Sequence, residues 1–219
     1  MDDEKIHGLL TPDNCALLLI DHEPQMAFAV KNIDVQMLIN NVVGLAKAAR
    51  VFKVPTIITT VSAETFSGPI FSWLRDVFPG VRPIDRESIN AWDDKNFVTA
   101  VKRTGRSKLI FSGLWTELCV GMPAISAMEE GYEAYVVADA CGDVSDTAQE
   151  MAMWRMVQAG AVPVTWMQVL LELQRSWANK ATYDAVLRIA EEHGGTYGQG
   201  IQYARRFLWG QQEEAASMR

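Results

Sequence analysis

The feature that most constrains this 219-residue chain is a repeated alternation between short apolar, β-branched runs and longer segments of helical period. CALLLID (15–21), PTIITTV (55–61), KLIFSGL (108–114), EAYVVAD (133–139) and VPVTWM (162–167) have the length and composition of strands buried on both faces. Between them, Val35, Leu38, Ile39, Val42, Leu45, Ala46 and Ala49 recur at the spacing of an amphipathic helix over 34–51. Further helices are expected over 69–78, stopped by Pro79-Gly80, and from a cap at Asp93 or Asp94 through Lys102. Others should cover 118–130, 146–159, 169–177 and 180–193. VRPID (81–85) reads as an additional small strand. Strands that alternate with helices predict an α/β chain, a mainly parallel sheet covered by helices on both faces. In such sheets ligands bind at the carboxyl ends of the strands.

The length suits one such domain. We place the domain at 1–178, and residues 179–219 form a C-terminal helical extension, expected to be an oligomer contact. Hydrophobic residues make up 49% of the chain and charged residues 21%, enough apolar surface for a sizeable core. The net charge is −7 and the lysines and arginines are scattered, which excludes the clustered cations that nucleic-acid binding needs. No apolar run reaches the ~20 residues that cross a bilayer, and MDDEKIHGLL is not a secretory signal. Three cysteines without metal-like spacing read as reduced thiols, so the expected compartment is the cytoplasm.

Two polar residues stand at strand ends where a site is expected. Asp21 closes four apolar positions, Leu17 to Ile20, and its carboxylate either points into a crevice or caps a turn. Cys119, in SGLWTELCVG, sits after a strand at a helix start. There the helix dipole would lower a thiol pKa and free N–H groups would hold an oxyanion. The alternative is a buried core thiol, the usual fate of a free cysteine. Arg86 either adds positive charge to the same crevice or lies in solvent. Cys141, at another strand end, reads as structural.

The order and spacing of LLLIDHEPQM, PTIITTV, IDRESINAWDD, FSGLWTELCV and VVADACGD resemble the isochorismatase-like cysteine hydrolases, most of all the YcaC-like subgroup, over residues 11 to 175. The resemblance implies a six-stranded sheet in a three-layer Rossmann-like sandwich and a triad of aspartate, lysine and cysteine. Asp21 and Cys119 match the first and third members. Residues 79–92 contain no lysine, and Arg86 stands in for the second. Arginine stays charged, so it can stabilise an anion but is a poor proton shuttle. The resemblance further implies a cis peptide at Leu114–Trp115, with the backbone N–H groups of Trp115 and Cys119 forming an oxyanion hole, and a homo-oligomer, on the family pattern an octamer. Relatives that bind a metal use further histidines. This chain has only His7, His22 and His193, so neither metal nor cofactor is expected and His22 reads as a structural hydrogen-bonding group. Trp92 and Trp115, inside the motifs, and Phe28 and Phe66, near the first two strand ends, are the expected pocket walls. The implied activity is hydrolysis of a small amide, imide or related C–N bond through a thioester. The alternatives are an isochorismatase-type vinyl-ether hydrolase, which does not use the cysteine, and a binding or scaffold protein on the same fold.

Overall fold

A computed structural model describes residues 8–209. Six strands, β1 (Cys15–Ile20), β2 (Thr56–Val61), β3 (Ile84–Arg86), β4 (Lys108–Gly113), β5 (Glu133–Val137) and β6 (Val162–Val164), form one sheet. Their order is β3-β2-β1-β4-β5-β6, and every neighbouring pair is parallel. The apolar runs explain the centre of the sheet: every residue of β1 and β4 is buried. VRPID contributes only its last two residues, joined by Arg86, to β3.

The helices are α1 (Pro24–Ala27), α2 (Val35–Val51), α3 (Ser72–Val77), α4 (Lys95–Arg103), α5 (Gly121–Glu129), α6 (Asp146–Gln158), α7 (Trp166–Gln174), α8 (Lys180–His193) and α9 (Thr196–Ala204). Right-handed crossovers that step from β1 towards β3 and from β4 towards β6 place their helices on opposite faces. On one face α2 packs against α3, α7 and α8, and on the other α5 packs against α6. The closest approach on the first face is at Gly44, where a Cβ would lie 2.8 Å from the ring of Trp166. Side-chain caps start several helices: Asp34 accepts the N–H of Met37, Ser145 that of Ala148 and Thr165 that of Gln168. Of the two aspartates expected before α4, Asp94 is the cap, accepting the N–H of Phe97 at 2.8 Å.

Residues beyond 178 join the helical layer through α8. Asn40 donates to the carbonyl of His193, and Lys47 pairs with Glu192. The last ten residues of the expected extension, like His7, lie outside the described residues. No helix among the described residues is long and apolar enough to cross a membrane.

Candidate active site

The strand order reverses direction between β1 and β4, the point at which open parallel sheets place their ligands, outside the carboxyl ends of the strands. Asp21 is the first residue beyond β1. It takes a left-handed backbone (φ 56°), which aspartate tolerates better than most residues, and its N–H donates to Thr59 O of β2 at 3.0 Å. This twist turns the carboxylate across β2 to β3, where Arg86 Nη2 donates to Asp21 Oδ2 at 2.8 Å. Both side chains are fully buried. Arg86 Nη1 donates to Ser88 O at 2.9 Å, which fixes the rest of the fork. Arg86 is thus not a surface arginine.

Cys119 reaches the same place from β4. The Leu114 N–H still donates to Ile20 O at 3.1 Å, so the chain leaves β4 pressed against β1. Only glycine fits at the end of that strand: a Cβ on Gly113 would lie 2.7 Å from Ile20 O and from Val120 Cγ2. Trp115 then adopts a left-handed conformation (φ 55°), and Thr116–Val120 make a single π-helical turn before α5. The helix expected from 118 therefore begins with this wider turn. The Cys119 side chain lies close enough to Asp21 and Arg86 for each to shift its pKa. The three residues singled out in the sequence, from three strands, meet in one cluster.

Three expectations at this turn are corrected. No cis peptide occurs among the described residues; Leu114–Trp115 is trans, and the left-handed Trp115 redirects the chain. The Cys119 N–H is not a free oxyanion donor, because it is bonded to Trp115 O at 2.9 Å within the π turn. Nor is the thiol acidified. Burial pushes the Cys119 pKa up, with the neighbouring Asp21 charge adding to it, and Arg86 offsets only part of this. Cys119 is the fourth residue of the Thr116–Val120 turn, and just 4% of it is exposed. At rest it is a neutral thiol.

Asp21 is also shifted upward, first by burial, while Arg86 and the bond from Cys119 pull it down. It is a stronger base than a solvated carboxylate. His22, beside it, is held neutral by burial, down to about 3. Ser112 Oγ donates to Ala140 O at 2.6 Å, so it must accept from His22 Nε2 at 3.2 Å. This is the structural hydrogen-bonding role expected of His22. Among the described residues no group of three His, Cys, Asp or Glu side chains could hold a metal ion.

Of the expected pocket walls, Phe28 and Phe66 stand on the segments after β1 and β2 and are 80% and 59% exposed. Trp115 is half-buried, its indole N–H donating to Met26 O at 3.1 Å, which ties the cysteine turn to α1. Trp92 does not belong with them. It is buried, packed edge-on against Phe97 and Tyr132, and its indole donates to Glu130 beyond the far end of α5 from Cys119. The aromatic ring fills the α4–α5 contact because the turn at 91–93 folds back on those helices. Cys141 and Cys15 are fully buried core thiols, each raised by burial to about 12.

Sequence reasoning missed two residues. Asp143 is fully buried; its Oδ2 accepts the N–H of Glu117 and its Oδ1 that of Val144, both at 2.8 Å, bracing the start of the cysteine turn. It lies in the motif VVADACGD, where its charge next to a strand end was the available signal. Glu23 is also fully buried, two residues from Asp21, and a second carboxylate so close to the end of a buried strand was the signal.

The isochorismatase domain model matches residues 15–168 of the chain. YcaC of Escherichia coli (strain K12) is 42% identical over 171 residues, covering 78% of this chain and 82% of that protein. The crystal structure of that gene product, described as an octameric hydrolase of unknown specificity, superimposes with a TM-score of 0.89 over 93% of this chain and all of its own. YcaC from Pseudomonas aeruginosa, solved with hexane-2,5-diol and covalent acrylamide, has 37% identity and a TM-score of 0.86, over 90% and 96% of the two chains. With the family domain spanning all six strands and two YcaC structures superimposing over nearly the whole fold, the chain belongs to the isochorismatase family and is YcaC-like within it.

Proposed function

We propose that the protein is a cysteine-dependent hydrolase acting on a small amide, imide or related C–N bond. The observation that carries this reading is the buried contact of the Cys119 thiol with a carboxylate of raised basicity, itself fixed by Arg86. Its YcaC relative from Escherichia coli is a hydrolase, and the one from Pseudomonas aeruginosa carries covalent acrylamide, an electrophile that thiols attack.

In the first step Asp21 accepts the thiol proton as the sulfur attacks the carbonyl carbon. A neutral resting thiol makes this transfer part of the attack. The carbonyl oxygen takes the displaced electron pair, and the Arg86 charge and the Trp115 N–H stabilise it. When the C–N bond breaks, Asp21 returns its proton to the leaving nitrogen and a thioester remains. Water then attacks the thioester, Asp21 takes its proton, and the acid departs as the thiol is regenerated. The sum is amide plus water to acid plus amine. A vinyl-ether hydrolase would leave the buried thiol idle beside its base, and a pure scaffold would have no use for a desolvated ion pair.

Assembly belongs to the same reading. Phe28, Phe66 and Trp73 near the site, and Tyr203, Phe207 and Leu208 on the C-terminal extension, are large apolar side chains in solvent. Clusters of this kind mark contacts between subunits, and the Escherichia coli relative is octameric. We take the native form to be a homo-oligomer in which Phe28 and Phe66 are covered at the mouth of the site.

The test is a panel of small amides and imides with mass spectrometry of the intact protein. Cys119→Ala should lose hydrolysis and the acyl adduct together while keeping its fold. Full turnover in that variant would refute the covalent route.

A further inference from the structure

Two carboxyl groups, not one, converge on the carboxyl end of β2. Val61 and Arg86 are register partners on β2 and β3. The Val61 N–H donates to Glu23 Oε1 at 3.3 Å, while Arg86 reaches over to Asp21. The Glu23 N–H donates to Asp21 O at 2.9 Å. Glu23 is therefore held at the level of the ion pair. Its second oxygen, Oε2, is buried with no hydrogen-bond partner among the described residues, and so are Asp21 Oδ1 and Arg86 Nε. A buried polar atom left without a partner is destabilising. Three of them in one cluster point to a ligand that supplies both an acceptor and a donor.

The charge count says which form Glu23 takes. Arg86 is the cation of the cluster, and Asp21 already matches it. Asp85, next along β3, faces away into solvent-exposed surface, where Thr60 Oγ1 and the Ala63 N–H donate to it. His22 is neutral and the Cys119 thiol is protonated. Glu64, Arg75, Asp76 and Glu117, on the segments that follow β2 and β4, are exposed to solvent. A second buried carboxylate would have no counter-charge, so Glu23 keeps its proton. Burial, then the Asp21 charge, raise it to about 8.

We propose that Glu23, as a neutral carboxylic acid, donates a hydrogen bond to a second acceptor oxygen of an uncharged imide-type substrate and excludes carboxylate-bearing analogues. The inference rests on the hydrolase reading for its substrate class. An imide has one carbonyl for the sulfur and another for Glu23. A carboxylate entering the cluster would find the Arg86 charge already neutralised.

The probe pair is glutarimide and its ring-opened acid glutaramate, with binding measured by calorimetry on Cys119→Ala protein, in which no covalent chemistry can occur. Glutarimide should bind at least about tenfold tighter than glutaramate at pH 7. Its affinity should fall roughly tenfold between pH 7 and pH 9 as Glu23 ionises. The fall should vanish in Cys119→Ala/Glu23→Gln, whose amide cannot ionise, and Glu23→Leu should lose the preference. Infrared spectra of the wild type supply a readout that needs no variant to fold: a protonated-carboxyl band present at pH 7 and titrating near pH 8. Absence of that band, a preference for glutaramate, or a pH-dependent affinity that survives Glu23→Gln would overturn the proposal. Loss of turnover with these binding results intact would instead sink only the covalent mechanism.

Discussion

Asp21 and Arg86 stand on strands separated by β2, yet their side chains meet at 2.8 Å with no exposed surface on either. The pair spans the strand between them because Asp21 leaves β1 in a left-handed conformation and Arg86 ends β3. Cys119 completes the cluster from the other side of β1, so the thiol and the ion pair straddle the point where the strand order reverses.

Removing the arginine should leave a buried carboxylate alone. Arg86→Met is expected to cost about 3–5 kcal/mol at pH 7, as for other broken buried pairs, and to raise the Asp21 pKa further. Arg86→Lys should recover part of this, since an ammonium keeps the charge but lacks the fork that serves Asp21 and Ser88 O together. Urea unfolding of both variants checks the order. Equal losses would show that charge contributes nothing.

Glu23 sets a slope of stability against pH. Its folded pKa, about 8, lies above the ordinary glutamate value of 4.5, so between these the folded state holds a proton that the unfolded state has released. Stability is then full below about pH 4.5 and falls by up to about 1.4 kcal/mol per unit as pH rises towards 8. Chemical denaturation across this window should show wild type losing stability relative to Glu23→Gln. Parallel curves would contradict a protonated Glu23.

Gly113 is where β1, β4 and the cysteine turn press together. Gly113→Ala drives a Cβ against backbone and side-chain atoms at 2.7 Å, so it should destabilise by about 1–3 kcal/mol. It should also displace Cys119 from Asp21, which slowed alkylation of the sulfur would reveal. An alanine variant of wild-type stability would mean the strands can part without cost.

Acrylamide should label one cysteine of three. Cys15 and Cys141 have no accessible surface, whereas Cys119 keeps 4% of its own and has the Asp21 carboxylate beside it. Peptide mapping should place the adduct on Cys119, and Asp21→Asn should slow its formation by about a hundredfold, the usual contribution of a positioned base. Equal labelling of Cys141 would remove the basis for choosing Cys119.

How far the sequence went can be judged residue by residue. The apolar runs at 15–21 and 108–114 announced buried parallel strands because their side chains face helices on both sides, and the Asp93–Asp94 pair announced a helix start because a capping carboxylate acts within one turn, though only the structure chose Asp94. Asp21, Arg86 and Cys119 were visible through motif order. Their mutual distance was not, since it depends on strands brought together by the sheet. The same limit hid Glu23 and Asp143, whose meaning comes from Val61 and Glu117, far along the chain. It also misplaced Trp92, whose environment is a helix pair, and misjudged the Cys119 thiol. A helix start suggests an acidic thiol, but desolvation and a neighbouring carboxylate, which push the thiol pKa up, are properties of the assembled interior. Local rules thus determined the elements and the chemical cast. Burial and charge neutrality, which exist only after folding, decided who holds the protons.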